Sequence, residues 1–166
     1  MRLGQILVAV AIAAFAAACS KPQDSSSPST GEAASAPAAP ELTDAQRQEI
    51  LASYPAPYNT ADLANGKAKF GLCQSCHTIA PGGANMTGPN LHGVFGRKSA
   101  SNADFKYSDA LKNAGWTWDA NHLDQWLAQP QTFLPGTKMS FAGLKDAKDR
   151  TDLIAYLMVE TGHKAQ

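Results

Sequence analysis

The chain has 166 residues, and its 14 Lys and Arg are balanced by 14 Asp and Glu, so the formal charge is zero. That balance lacks the basic surplus that nucleic acid or a polybasic membrane site requires. An apolar content of 44 % excludes wholesale disorder, and the length suits one domain with attachments.

The attachments come first. Arg2 supplies a positive start, and Ile6 to Ala18 is an apolar run of 13 residues. Such a run fits the core of a signal peptide and is short for a membrane-spanning helix of roughly 20 residues. Residues 1–18 are therefore predicted to be a signal peptide that exports the chain from a bacterial cytoplasm. Three fates compete: cleavage after Ala18, retention as an anchor, or lipidation of Cys19. Ala16-Ala17-Ala18-Cys19 resembles the lipobox of bacterial lipoproteins, although that pattern usually has Leu at the place of Ala16. The sequence favours a lipid on Cys19, which places the chain on the periplasmic side of a membrane.

Residues 19–57 are predicted to be a Ser/Ala/Pro-rich linker. Six of the ten prolines lie between Ser20 and Pro57. Within it, Thr43-Asp44-Ala45-Gln46 is a capping box that predicts a short helix near 44–53. Pro55 and Pro57 then end the helix. As a coil, this stretch reaches about 35 Å, a scale suited to a domain that swings between membrane neighbours.

Residues 58–166 hold 11 of the 13 aromatic side chains and form the predicted packed domain. Leu63, Gly66 and Phe70 share a helical face. Leu123, Trp126 and Leu127 recur at helical spacing, as do Leu153, Ile154 and Leu157. Asp146 with Asp149 marks a helix start. Gly- and Pro-rich loops separate these segments, and no stretch alternates as a strand. The fold class read from this is all-α.

Cys73-Gln74-Ser75-Cys76-His77 is a c-type haem attachment motif. The composition gives about 0.001 chance occurrences of that spacing in a chain of this length. Two thiols on one helical turn reach the two vinyl groups of haem and form thioethers, and His77 is then held beneath the iron. A zinc ribbon would need a second ligand pair, and a thioredoxin-like site a βαβ unit; neither is present. Candidates for the sixth iron ligand are Met86, Met139, Met158, His92, His122 and His163. Met158 falls in a core helical pattern, His163 lies near the end of the chain and His122 in a solvated first turn. Met86 is too close to His77. Spacing favours Met139 in the Pro135–Met139 loop and leaves His92 open.

From about Asn65 to Tyr156 the chain resembles a small mono-haem class I cytochrome c of the mitochondrial-like type. The matching pieces are Cys73–Thr78, Thr87–Lys98, Tyr107–Ala110, Pro135–Gly143 and Asp152–Leu157, in the family's order. The resemblance implies a class I cytochrome c fold around one covalent haem c, with Met139 as axial ligand opposite His77. It further implies that the Pro89 carbonyl accepts from His77, and that Arg97, Tyr107 and Trp118 hold a haem propionate. Trp126 and Thr137 also fall beside the cofactor. Gly66 and Phe70 are implied to pack on the last helix near Tyr156. Two positions depart from the family: Trp126 replaces a tyrosine beside the methionine sulfur, and Leu111 replaces an asparagine near the propionate. The implied role is that of a one-electron carrier rather than an enzyme. It would act as a monomer between a quinol–cytochrome c reductase and a haem-copper oxidase. A dedicated electron-entry subunit of a periplasmic dehydrogenase is the main alternative, and a haem gas sensor a weaker one. Lys138, Lys145 and Lys148 are either a small positive docking face or ordinary solvated lysines.

Overall fold

The computed structural model describes residues 41–164. The signal-like segment, Cys19 and the linker as far as residue 40 lie outside the described residues. Among the described residues six helices and one 3-10 turn follow in order: α1 (Asp44–Ala52), the turn Tyr58–Thr60, α2 (Leu63–Phe70), α3 (Asp109–Asn113), α4 (Ala120–Ala128), α5 (Pro130–Phe133) and α6 (Ala147–Glu160). Among the described residues there is no strand, only an isolated antiparallel bridge between Lys98 and Thr117. The fold is all-α, as the sequence predicts. No described helix is long and apolar enough to cross a membrane.

The centre of the fold is α6, whose eight residues from Asp152 to Val159 are all buried. Its first turn is capped by Asp146, which accepts from the Asp149 amide at 2.9 Å. Helix α2 crosses it at Gly66. A Cβ there would meet the carbonyl oxygen of Asp152 and lie 2.7 Å from Tyr156 Cβ. Only glycine lets the two backbones approach so closely. Phe70 and Tyr156 pack beside this point with ring centroids 5.8 Å apart. Helix α4 adds Leu123, Trp126 and Leu127 to the same core.

The capping box of α1 forms as expected: Gln46 N–H donates to Thr43 Oγ1 and the Gln46 side chain accepts from the Thr43 amide. The helix itself and the residues after it depart from the predicted linker, whose boundary was Pro57. Leu51 and Tyr54 are each only 3 % exposed, because α1 lies against α6. The Arg47 guanidinium pairs with Glu160 at 2.5 Å, and the Tyr54 hydroxyl donates to the His163 carbonyl at 2.8 Å. The His163 ring packs on Tyr54 and Phe95, with centroids 5.6 and 4.8 Å away. The packed unit thus begins near Thr43.

Candidate functional site

Helix α2 runs directly into the paired cysteines. The Cys73 and Gln74 amides donate to the Phe70 carbonyl, and the Cys76 and His77 amides to that of Cys73. This extra turn sets both thiols and the imidazole on one short arc. Neither thiol is in a disulfide, and both are half-buried. Burial, with a smaller contribution from Cys76, pushes the Cys73 thiol up to about 11. It therefore stays protonated and slow to oxidise at neutral pH.

His77 is oriented by the next loop. Its Nδ1 lies 2.7 Å from the Pro89 carbonyl oxygen. A carbonyl can only accept, so Nδ1 carries the proton and Nε2 keeps a free lone pair. Burial lowers the His77 pKa, against the opposing pull of Pro89, so the ring is neutral at pH 7. Gly88 supports the ring from beside it. A Cβ at Gly88 would lie 2.6 Å from Nε2, so a larger residue would displace the imidazole. Asn90 braces the loop, donating to Thr78 Oγ1 at 2.6 Å and the Ala80 carbonyl at 3.0 Å, while accepting from the His92 amide.

The loop after α5 carries Met139, which is held at three atoms. Its amide donates to Thr137 Oγ1 at 3.2 Å, and its carbonyl accepts from Gln131 Nε2 at 2.7 Å. Its sulfur accepts from Trp126 Nε1 at 3.0 Å. Indole can donate but not accept, so the direction of this last bond is fixed. The other candidate iron ligands are placed elsewhere. Met158 is buried in α6, and Met86 points outward. His122 stacks on Trp116 and bonds to Asp119. His92 sits against Gly162 with a buried, unpartnered Nδ1.

Arg97 and Trp118 come together through backbone pairing: the Trp118 amide donates to the Arg97 carbonyl at 2.9 Å, and the Gly96 amide to that of Trp118. The Arg97 guanidinium donates to the Asn90 and His92 carbonyls. Tyr107 is buried, which raises its pKa, while neighbouring Arg97 and the Asn102 backbone pull it down. Trp118 meets Trp126 edge-on at 5.4 Å. Arg97, Tyr107, Trp118, Trp126 and Met139 thus form one continuous chain of neighbours.

These residues suit a porphyrin iron. Among the described residues no three His, Cys, Asp or Glu side chains converge, so a bare metal ion would find too few donors. A porphyrin brings four ligands of its own and needs only an imidazole and a thioether from the chain. The buried indole N–H of Trp116 and Nδ1 of His92 find no partner among the described residues. Gln131 is a supporting residue that the sequence does not announce. A glutamine one residue after Pro130 resembles any exposed polar position until α5 turns it toward Met139.

The cytochrome c family model matches residues 63–159. Cytochrome c of Theileria annulata is 54 % identical over 97 residues, covering 58 % of this chain and 84 % of that protein. Cytochrome c2 of Blastochloris viridis is 45 % identical over 108 residues, covering 65 % and 85 % respectively. The solved structure of cytochrome cH from Methylobacterium extorquens superposes with a TM-score of 0.55 at 47 % identity, covering 58 % of this chain and 97 % of that one. Such a fold and site define a small haem-binding electron-transfer protein, and the chain belongs to the cytochrome c family. It carries one covalently bound haem c and moves electrons rather than transforming a substrate.

Proposed function

We propose that this cytochrome is an exported, N-terminally tethered carrier that passes single electrons between membrane redox complexes. When bound, the haem supplies an iron that alternates between Fe(II) and Fe(III). In this reading Cys73 and Cys76 would form the thioethers, and His77 Nε2 and Met139 Sδ would be the donors to the iron. Pro89 fixes the tautomer of His77. Trp126 and Thr137 position Met139, and Arg97, Tyr107 and Trp118 hold a propionate. The observation that carries the reading is the pair of pre-oriented donors. His77 has its Nδ1 proton committed to Pro89, and Met139 is anchored at amide, carbonyl and sulfur. A neutral imidazole and a neutral thioether favour a high potential. Donors already held in place need little rearrangement when one electron arrives.

The tether is proposed from residues 1–40: a signal segment, Cys19 in a lipobox-like setting, and a Pro-rich linker. Two or more acyl chains at Cys19 would anchor the protein stably on the periplasmic face, where one chain would do so only marginally. Family analogy makes a quinol–cytochrome c reductase the donor and a haem-copper oxidase the acceptor. Tethering raises the effective concentration of the carrier beside both.

Acid–acetone extraction of protein matured in a cytochrome c-competent host tests the attachment. The haem should stay with the parent chain, and its departure with the solvent would refute the Cys73/Cys76 assignment. Mass spectrometry of the native membrane protein tests the anchor. A diacyl or triacyl mass on Cys19 is expected, and an unmodified Cys19 on membrane-bound protein would replace the lipid with an uncleaved segment.

A further inference from the structure

From Phe70 to Gly96 the chain has 27 consecutive residues without a single Asp, Glu, Lys or Arg. At the overall charged content of 17 %, such a window would carry about five. It holds both attachment cysteines, His77 and the loop that orients His77. The charges at its two ends are both engaged: Lys69 pairs with Asp149 at 2.7 Å, outside the window, and Arg97 donates to the Asn90 and His92 carbonyls within it. The lysines after α5 are similarly engaged. Lys138 Nζ donates to the Lys106 and Tyr107 carbonyls, Lys145 to that of Ala128, and Lys148 to Asp152.

Among the described residues the large hydrophobic side chains left exposed are Leu72, at 59 %, and Met86, at 46 %. One exposed apolar residue needs no explanation. Here both lie within the charge-free window and beside the attachment. Leu72 immediately precedes Cys73. Met86 donates its amide to the Gly88 carbonyl at 2.8 Å, and the Gly88 amide donates to the Cys76 carbonyl at 2.9 Å. The Met86 loop is also braced, not slack. Asn85 Oδ1 accepts from the Asn90 amide and Asn102 Nδ2, and Thr78 Oγ1 donates to the Ala84 carbonyl. A braced backbone holds an apolar side chain in water that a small shift of a loose loop would bury.

Resting on the electron-carrier reading, we infer that the face around Leu72, Cys73, Cys76 and Met86 is an apolar docking surface. Its occupant is a redox protein with an uncharged, apolar rim around its own electron acceptor. A haem bonded to Cys73 and Cys76 would be held next to this face, and electron tunnelling falls off steeply with separation. The molecule that meets this face in function is therefore the one that takes or gives the electron. An anionic lipid surface or an acidic partner finds no cation within the window itself, and Lys138 and Lys145 of the Met139 loop are turned back onto carbonyls of the chain. The complex forms by removing a small apolar collar from water, which suits the short-lived, small interfaces of electron-transfer pairs. Charge steering contributes little.

The test uses the full-length, haem-loaded chain in detergent, with membranes of its own cell lacking this protein as the electron acceptor. The oxidation rate is followed against ionic strength for the parent, for Leu72→Lys with Met86→Lys, and for Leu72→Ile with Met86→Leu. The parent rate should change less than about twofold between roughly 20 and 300 mM salt. The double lysine variant should lose about tenfold or more, and the apolar pair should restore the rate to within about twofold. Reduction by ascorbate should be the same in all three. A double lysine variant as fast as the parent would overturn the proposal, as would a parent rate that collapses with salt. A concentration-dependent dimer that the lysines dissolve without slowing oxidation would reassign the face to a second copy. A parent that ascorbate cannot reduce would instead sink the carrier reading itself.

Discussion

Where α2 crosses α6, charged groups hold the chain together; the adjoining stretch from Phe70 to Gly96 has no charged side chain of its own and is braced by amides, carbonyls and hydroxyls, with Arg97 donating to two of its carbonyls from outside. At the crossing, Asp152 is only 1 % exposed, and it accepts from the Asp62 amide at 2.9 Å, Asn65 at 2.7 Å and Lys148 at 2.6 Å. Asp149 accepts from Lys69 and from the Asn65 side-chain amide. In the charge-free stretch, Asn90, Asn85 and Thr78 do the bracing. The difference has a physical reason. A charge fixed beside an iron that gains and loses one unit of charge would favour one oxidation state. Neutral hydrogen bonds serve both states nearly alike. Fixed ion pairs belong where nothing changes charge, and there they set how two helices meet.

The comparison breaks most readily at the crossing. Gly66→Ala should destabilise the haem-loaded protein by about 3 kcal/mol, because its methyl group has no room against Asp152 and Tyr156. Denaturant unfolding reads the loss, and the spectrum of the folded fraction should remain that of the parent. An unchanged midpoint would show that the helices can separate freely at this point.

Asp152→Ala comes next, at about 2 kcal/mol, since it leaves the Asp62 amide without its acceptor and removes one of the two Asn65 bonds, while the exposed Lys148 turns to water. Its reduction potential should match that of the parent. A shift in potential as large as that of any site variant would erase the division between the two regions.

Acid sharpens the same contrast. Burial raises the Asp152 pKa, but Lys148, Asn65 and the Asp62 amide outweigh it, so the carboxyl titrates below its ordinary value. Asn65 and Lys69 lower Asp149 likewise. A folded pKa below the unfolded value of about 3.9 adds stability that is present above that pH and lost as pH falls through the folded pKa. Stability should therefore hold from pH 7 to about 5 and fall below about pH 4. Asp152→Asn should flatten that decline. An equal slope in the variant would locate the acid sensitivity elsewhere.

The smallest effect belongs to the site. Trp126→Phe removes the N–H that draws density from the Met139 sulfur, so Fe(II) should lose some of its advantage. A drop of about 20–40 mV in a redox titration is expected, equivalent to a fraction of one hydrogen bond. A potential that stays put or rises would mean that the bond has no part in tuning the iron.

Local features were the most legible in the sequence. Cys73, Cys76 and His77 fall within five residues, so one helical turn suffices to assemble them. The helical faces of α2, α4 and α6 show directly in the spacing of their apolar residues. The packing of α1 was not legible, because Ile50, Leu51 and Tyr54 make only a single-turn apolar patch in a Pro-rich setting, and its partners on α6 lie about a hundred residues away. His163 was hidden for the same reason: its place on Tyr54 and Phe95 exists only once α1 has docked. Gln131 carries no pattern at all. Nothing in the sequence singles out Leu72, and Met86 stands there only as a candidate iron ligand; the folded loop turns both outward. The gap in charge from Phe70 to Gly96 stands openly in the sequence, yet its meaning depends on knowing where Lys69, Arg97 and Lys138 point.

The most direct test of the central claim is the absorption spectrum of the oxidised, haem-loaded protein at neutral pH. Ligation by the Met139 sulfur opposite His77 predicts a weak far-red charge-transfer band, absent from Met139→Ala, which should keep its haem and bind added cyanide. A parent spectrum without that band, or a Met139→Ala variant that retains it, would contradict the site as assigned.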